Sequence, residues 1–322
     1  MFFSLAVLAA CSAGPSDSGP ADSGDDVVAE LPVLAPPPAG EGFQISMFGT
    51  APANTEVWLC EVYDLPTTEL QAVHAVQYLQ NEGTHHMTLS TTALATEPLA
   101  PGSYDCNALY ADSTVMQDAV MMFGSQGDAE GTLTLPDGVA ANLPAGIQVL
   151  QEIHFVNTTS TDVALYSYLN GWTIPQEDVV SGIWGGSVRD ETITLPPQQE
   201  TTEWSRCVMN EDVEVQFLAS HTHATATKFT IAPFDGVTTG EVFYTNTDWH
   251  DPKIEQYNPP RIVPAGQGFE FACTWFNGTD ETVSYGLAST DEMCNLALVF
   301  TPFSMTAACE VVETSDGVLW QD

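Results

Sequence analysis

The chain has 322 residues, 44% of them apolar, which is enough for about two domains of roughly 150 residues with full hydrophobic cores. This composition excludes a disordered or collagen-like protein. The 5 basic and 43 acidic residues give a formal net charge of −38. We therefore expect no nucleic acid partner, and contact with a membrane only through an anchor, because anionic surfaces repel such a field.

The N-terminus carries an export signal. Residues 1–10 form an apolar run far shorter than the roughly 20 residues that a membrane-spanning helix needs. The tetrad Leu8-Ala9-Ala10-Cys11 resembles a bacterial lipobox, in which the signal is cut before a cysteine that receives a diacylglycerol. We therefore expect a signal peptide over 1–10, lipidation of Cys11, and a lipid anchor in the bacterial cell envelope or outer membrane. The alternative is an ordinary secretory signal, since the usual cationic start is missing.

Residues 11–42 are rich in Ser, Gly, Pro and Asp, and they predict a flexible linker after the lipidated cysteine. Beyond residue 43 the chain shows short β-branched and aromatic runs bounded by turn residues, with no sustained helical period. Examples of such runs are 57–63, 147–156, 163–172, 213–231 and 269–276. Asn277-Gly278 predicts a hairpin.

This pattern predicts an all-β protein with two tandem jelly-roll-type β-sandwich domains. Turn residues crowd together between Leu169 and Pro196, and we place the boundary there. The predicted domains are therefore residues 43–174 and residues 175–322.

Four of the seven histidines form two close pairs, and the first to consider is His221-Thr222-His223. In a strand, residues two apart share a face with Cβ atoms about 6.6 Å apart, so both rings can converge on one ion. Apolar residues at the odd positions from Val213 to Ala219 place the pair on the apolar face. Two inward imidazoles must be hydrogen-bonded or bound to metal. A pair of hydrogen-bonded core histidines is the alternative.

His85 and His86 are adjacent, so in a regular strand they would point to opposite faces. Both can bind one ion only at a strand end or bulge, which the preceding Gly83 permits. His154, at the end of an apolar run, is the candidate third ligand, although a lone histidine there can also be structural. His74 and His250 are assigned no role.

Met293 lies in the run Asp291-Glu292-Met293-Cys294-Asn295. A thioether is a soft ligand that selects copper over zinc or magnesium. A set of two histidines and Met293 would therefore be a copper site, whereas a methionine that only fills the core is the alternative.

Four motifs hold these residues in a fixed order and at wide spacings: His85-His86-Met87, Glu152-Ile153-His154-Phe155, His221-Thr222-His223 and Asp291-Glu292-Met293-Cys294-Asn295. Together they resemble the copper type II, ascorbate-dependent monooxygenases, which include peptidylglycine α-hydroxylating monooxygenase and dopamine β-monooxygenase. The resemblance covers roughly residues 43–315. It implies two copper ions per chain, one for electron transfer and one for oxygen activation. The first would be held by His85, His86 and His154, and the second by His221, His223 and Met293.

Six cysteines remain after Cys11, and an even number in an exported chain predicts three disulfides with 15 possible connectivities. The resemblance implies one of these sets: Cys60 with Cys106, Cys207 with Cys309, and Cys273 with Cys294. The last pair would fix the residue next to Met293.

The resemblance also bears on the substrate. The peptide-amidating branch holds a substrate carboxylate with an arginine and a tyrosine, at positions occupied here by Ala219 and Ala297, and only Asn295 of that pocket is kept. A peptide carboxylate would then find no cation, which argues against peptide amidation. Glu152 is more similar to the dopamine branch.

The function implied is hydroxylation of an activated C–H bond in a small molecule, with O2 and ascorbate or another one-electron reductant as co-substrates. No catalytic side chain beyond the metal ligands is required. Three alternatives stay open: a non-catalytic copper-binding surface lipoprotein, a zinc-bearing β-sandwich hydrolase, and a structural adhesion module.

Overall fold

The computed structural model describes residues 31–92, 99–111, 120–250, 252–286 and 290–317. The predicted signal peptide, Cys11 and most of the predicted linker lie outside these residues. Among the described residues, no helix combines the length and hydropathy needed to cross a membrane.

The N-terminal half is built almost entirely from strands. Its described helices are α1 (Cys106–Ala111), with six residues, and a single 3-10 turn (Gln176–Asp178). Its strands are β1 (Gly42–Ala51), β2 (Thr55–Asp64), β3 (Gln71–Gln80), β4 (Thr84–Thr91), β5 (Gly102–Asp105), β6 (Val120–Gln126), β7 (Glu130–Thr134), β8 (Val139–Leu143), β9 (Gln148–Asn157), β10 (Val163–Ile174) and β11 (Ser181–Gly182).

These strands form two sheets. One has the order β1-β10-β3-β8-β11, with β7 also paired to β3, and the other has the order β5-β2-β9-β4-β6. Both sheets contribute to one core cluster, with Ile45 and Leu169 from the first and Met87, Phe123 and Ile153 from the second. Because apolar side chains from both sheets meet there, the sheets pack face to face.

The C-terminal half repeats this arrangement. Its strands are β12 (Trp184–Arg189), β13 (Thr194–Leu195), β14 (Gln199–Met209), β15 (Val213–His221), β16 (Ala226–Phe234), β17 (Tyr244–Asn246), β18 (Glu255–Val263), β19 (Gly268–Asn277), β20 (Val283–Ser284), β21 (Asn295–Thr301) and β22 (Cys309–Thr314). One sheet has the order β12-β21-β15-β18 and the other β17-β16-β19-β14-β22, while β13 pairs with β20. Their shared core is lined by large side chains that include Phe229, Phe271 and Trp275.

The all-β prediction is therefore confirmed. The hairpin predicted at Asn277-Gly278 is wrong, because β20, the next strand, pairs with β13 and not with β19. The side-chain amide of Asn277 is buried and donates to the carbonyls of Leu195 and Glu281. This residue therefore holds a wider loop and does not make a two-residue turn.

Each of the three disulfides lies within one half of the protein. They join Cys60 to Cys106, Cys207 to Cys309, and Cys273 to Cys294. These are the pairs that the resemblance implies. The first joins β2 to the start of α1, and the other two lie in the C-terminal half. Every cysteine in the described part of the chain is therefore oxidised.

Candidate metal centres

Three histidines meet in the N-terminal half. His85 and His86 lie at the start of β4, and His154 lies on the neighbouring strand β9, directly opposite His86. One nitrogen from each ring lies within 4.8 Å of the other two. Strand pairing thus brings together residues that are about seventy positions apart in the chain.

A β-bulge allows adjacent histidines to serve one site. The pairing of β4 with β9 slips between Thr84 and His86, so His85 is the extra residue of the bulge. Gly83, just before it, has φ of +83°, a conformation that favours glycine. The extra residue breaks the strict alternation of side chains, and both rings can turn to the same side.

Hydrogen bonds to carboxylates select which ring nitrogen is free in His86 and His154. Nε2 of His86 lies 2.6 Å from Glu152 Oε1, and Nε2 of His154 lies 2.6 Å from Glu56 Oε1. The Nδ1 atoms are therefore left to face the site, and those of His85 and His154 are 2.9 Å apart. Nδ1 of His86 is buried and has no hydrogen-bond partner among the described residues.

The environment favours the neutral form of two of these rings, His85 and His154. Burial, together with the neighbouring His86 and His154, lowers the pKa of His85 to about 3. Burial also lowers the pKa of His154, which is 1% exposed, despite the opposing effect of Glu56. A neutral imidazole is the form that binds a metal ion, so the lowered pKa values of His85 and His154 favour metal binding.

The second histidine pair lies where β15 meets β21. His221, the last residue of β15, pairs with Asn295, the first residue of β21, and the backbone N–H of His223 donates to the side chain of Glu292, the residue before Met293. The His221 and His223 rings are 5.4 Å apart and nearly perpendicular. Nδ1 of His223 lies 2.9 Å from the carbonyl of Asp291, so its Nε2 is the nitrogen left for a metal.

The predicted orientation of His221 is wrong. Val213 and Val215 are buried at odd positions, but the register then slips before Phe217, and the buried residues become Leu218 and Ser220. This bulge reverses the alternation of side chains along β15. His221 therefore lies on the opposite face of the sheet from the C-terminal core.

Glu292, which is completely buried, holds the second pair in place. Its carboxylate accepts the backbone N–H groups of His223, Thr225 and Met293, together with the Thr225 hydroxyl and the Trp275 indole N–H. Five donors compensate the cost of burying this charge. The carboxylate thereby ties the turn after His221 to the backbone of Met293.

Two further contacts restrain Met293, which is 7% exposed. The side-chain amide of Asn295 donates to the Met293 sulfur at 3.2 Å. The next residue, Cys294, is joined to Cys273 on β19. A flexible thioether side chain is thus anchored on both sides, whereas a methionine that only fills a gap needs no such restraint.

The face that carries His221 also carries a cation. Asn295 on β21 pairs with Arg189 on β12 at one side and with His221 on β15 at the other. Residues directly opposite one another share a face of the sheet. The charge of Arg189 also contributes to lowering the pKa of His221. A neighbouring strand therefore supplies a cation on the face that carries His221.

The two centres lie near each other. Burial and His223 lower the pKa of His221 to about 3, and His86 and His85 of the N-terminal half add to this effect. His223 in turn contributes to the lowered pKa of His85. The histidines of both halves therefore lie near enough for their charges to interact.

Both donor sets fit copper. The first offers three imidazoles, and the buried Nδ1 of His86 has no hydrogen-bond partner among the described residues. Imidazole suits copper and zinc alike. The second adds a thioether to two imidazoles, which favours copper, especially in its reduced form. Metal-bound histidines usually hydrogen-bond through their other nitrogen to a carboxylate or carbonyl, as His86, His154 and His223 do here.

Sequence reasoning missed three residues that shape these centres: Glu56, Arg189 and the role of Glu292. Glu292 lies inside a motif that was already singled out, and its position beside Met293 was the available signal. Glu56 and Arg189 lie outside every motif, and only strand pairing brings them to their histidines.

Comparisons with known proteins point to one family. Residues 183–321 match the family model of the copper type II ascorbate-dependent monooxygenase, C-terminal domain. No curated protein sequence matches the chain significantly.

Two solved structures are similar only at a low level. The major capsid protein P2 from bacteriophage PM2 is 8% identical, with a TM-score of 0.30, over 81% of this chain and 100% of that one. The structure of infectious bursal disease virus Gt strain is 8% identical, with a TM-score of 0.13, over 88% of this chain and 82% of that one. TM-scores this low support no statement about fold or function.

The family match spans β12 to β22 and includes His221, His223 and Met293. Residues 183–321 are therefore similar to the C-terminal domain of the copper type II ascorbate-dependent monooxygenases.

Proposed function

We propose that this protein is a copper monooxygenase that hydroxylates an activated C–H bond of a small organic substrate with O2 and a one-electron reductant such as ascorbate. Two copper ions per chain would bind, one at His85, His86 and His154 and one at His221, His223 and Met293. One observation carries the proposal: the chain combines a region that matches a copper monooxygenase family with two different sets of candidate ligands. The first set has three imidazoles, and the second has two imidazoles and a softer thioether.

The reaction balances with two electrons and two protons. One atom of O2 enters the C–H bond to give an alcohol, and the other leaves as water. Copper supplies one-electron redox chemistry at each centre, and the reductant supplies both electrons. A chain with two centres can store both electrons before the substrate reacts.

The residues of the chain set the difference between the centres. Glu152 and Glu56 hold His86 and His154 through Nε2, which turns both Nδ1 atoms to the first centre. At the second centre, the Asp291 carbonyl orients His223, and Asn295 and the Cys273–Cys294 disulfide restrain Met293. A soft thioether favours the reduced metal, so the second centre is suited to react with oxygen.

Beside the second centre lies a surface suited to a small molecule. Ala219 and Ala297 are paired directly across β15 and β21, two rows from His221 and Asn295 and on the same face. Their short side chains leave room where longer ones would fill the face. The side-chain oxygen Oδ1 of Asn295 is buried and has no hydrogen-bond partner among the described residues, which makes Asn295 the candidate polar residue of this surface.

A copper-loaded oxygen-uptake screen with ascorbate tests the proposal. The panel should hold phenethylamines, sterols and small amides, each paired with a carboxylate analogue, because Arg189 shares the face of His221. We expect substrate-dependent oxygen uptake that yields one alcohol per O2. Tight binding of copper without any substrate-dependent uptake would support the non-catalytic copper-binding lipoprotein instead.

We also propose that the protein is exported and anchored to the cell envelope through lipid on Cys11. The support is the lipobox-like tetrad that ends at Cys11 and the three disulfides, which require an oxidising compartment. In a Cys11→Ser variant we expect the protein to leave the membrane fraction. Unchanged membrane association would contradict the anchor.

A further inference from the structure

A loop of the C-terminal half reaches the three-histidine centre of the N-terminal half. It runs from Asn246, at the end of β17, to His250, and we call it the 246–250 loop. The ring of Trp249 lies 5.4 Å from that of His85, and the ring of His250 lies 6.1 Å from it. The tip of this loop is therefore the part of the C-terminal half that packs on a candidate ligand of the first centre.

The N-terminal half makes room for the tip at Gly127. The amide of Gly127 donates to the carbonyl of His85, so this glycine lies beside the bulge. A Cβ atom placed on Gly127 would come within 3.0 Å of the His250 carbonyl oxygen and 3.1 Å of its Nδ1. Such distances are closer than ordinary van der Waals contact. A side chain at position 127 would therefore push His250 away from its present position.

The other end of the loop is fixed beside the second centre. The side-chain amide of Asn246 donates to the hydroxyl of Ser220, the residue before His221, at 3.2 Å. Asn246 also exchanges hydrogen bonds with the backbone of Asp248, and a carboxylate oxygen of Asp248 accepts the N–H of His250 at 3.0 Å. The five residues 246–250 thus run from Ser220, which precedes His221, to the ring of His85.

His85 lacks a partner that the other two ligands have. Glu152 and Glu56 accept from Nε2 of His86 and His154, but Nε2 of His85 is buried and has no hydrogen-bond partner among the described residues. A metal bound at Nδ1 fixes the ring proton on Nε2, and that buried N–H then needs an acceptor. Of the two loop rings beside His85, the Trp249 indole only donates, whereas an imidazole can accept.

We propose that His250 accepts a hydrogen bond from Nε2 of His85 in the copper-loaded protein, and so positions a ligand of the first centre from a loop fixed beside the second. Ring centroids of two imidazoles joined in this way lie about 5 Å apart, so the His250 ring moves inward by about 1 Å. Its exposed side chain can make this movement. The inference rests on the proposed function, because it requires copper at His85, His86 and His154.

Copper affinity and the Cu(II) electron paramagnetic resonance spectrum test this role without measuring activity. The background is the full chain with His221→Ala and His223→Ala, which leaves the first centre as the copper site. His250→Phe keeps a ring but removes the acceptor, whereas His250→Gln keeps an acceptor. Thr247→Ala is the control, since Thr247 is an exposed residue of the same loop.

We expect His250→Phe to weaken copper binding at least about 10-fold and to change the spectrum, while His250→Gln and Thr247→Ala stay close to the background protein. Equal behaviour of the Phe and Gln variants, whether both normal or both impaired, would overturn the inference, because the acceptor would then not matter. If His154→Ala does not weaken copper binding in this background, the proposed function fails together with the inference. Binding that depends on His154 but not on His250 overturns the inference alone.

Discussion

The carboxylate of Glu292 accepts the backbone N–H of His223 at 3.1 Å, and the same oxygen accepts the indole N–H of Trp275 at 3.0 Å. One fully buried charge therefore joins the second histidine pair to the core of the C-terminal half. Because this charge precedes Met293, it also fixes where the thioether can lie. The geometry of the second centre thus depends on a residue that does not bind the metal.

Glu292→Gln tests this dependence. The glutamine side chain keeps the shape, but its NH2 group faces at least one backbone N–H donor whichever way the amide turns. At least one hydrogen bond is therefore lost, and the remaining ones no longer go to a charge. We expect a loss of about 2–3 kcal/mol in the free energy of unfolding and a fall from two coppers per chain toward one. Denaturant unfolding and metal analysis measure both. Glu281→Gln, at an exposed position, should change neither, and two coppers in Glu292→Gln would contradict the prediction.

Damage to the two centres should have different effects. In Met293→Ala we expect one copper to stay tightly bound at His85, His86 and His154, with hydroxylation at background, because the soft ligand of the second centre is gone. In His154→Ala we expect the first centre to lose affinity while the second keeps its copper, and steady turnover to stop. Metal analysis beside oxygen uptake separates these outcomes. Turnover at the parent rate in Met293→Ala, with both coppers bound, would show that Met293 is not a ligand.

Met293→His supplies a complementary comparison. The replacement keeps a ligand but hardens the centre toward oxidised copper. We expect two coppers per chain, a slower reduction of the second centre by ascorbate, and loss of hydroxylation. Reduction followed by stopped-flow absorbance or by electron paramagnetic resonance checks this. Parent-like reduction and turnover would remove the special role of the thioether.

The disulfides should separate stability from metal binding. Cys207–Cys309 spans 102 residues and Cys273–Cys294 spans 21, so loop-closure entropy gives the first about 4.7 kcal/mol and the second about 3 kcal/mol. We expect the double Ala variant of Cys207 and Cys309 to lose more stability. The double Ala variant of Cys273 and Cys294 should instead lose more copper, because Cys294 adjoins Met293. Equal copper content in the two variants would contradict a positioning role for Cys273–Cys294.

Glu203 on β14 gives the fold a pH dependence. Its side chain is 7% exposed and one carboxylate oxygen has no hydrogen-bond partner among the described residues. Burial, with added effects from Asp190 and Asp316, raises its pKa from 4.5 to about 7. The folded state therefore holds a proton between about pH 4.5 and pH 7 that the unfolded state has lost, so this group's contribution to stability falls as the pH rises through that window.

Glu203→Gln removes this titration. We expect the melting temperature of the variant minus that of the parent to be larger at pH 8 than at pH 5. The reason is that the parent must bury a charge at the higher pH. Glu200→Gln, at an exposed position on the same strand, is the matched control. A melting-temperature difference between parent and Glu203→Gln that does not change with pH would show that Glu203 does not titrate in this range.

Sequence alone predicted much of the first centre. The adjacency of His85 and His86 demanded an irregular strand, and a bulge lies at that point because Gly83 permits the necessary backbone. The orientation of His221 could not be predicted in the same way. The bulge before Phe217 contains no glycine or proline, so nothing in the sequence marks it. A strict alternation of odd and even positions therefore predicts the wrong face for His221.

The sequence by itself determined the chemistry of this protein: strand-forming runs for an all-β fold, an even set of six cysteines beyond Cys11, and imidazole and thioether donors in a recognisable order. The tertiary structure decided which nitrogen of each ring is free, because Glu56 lies 98 residues from His154 and meets it only through the pairing of β2 with β9. It also decided that Arg189 shares the face of His221 and that the 246–250 loop reaches His85. Such contacts depend on register and packing between distant strands, and these leave no local pattern in the sequence.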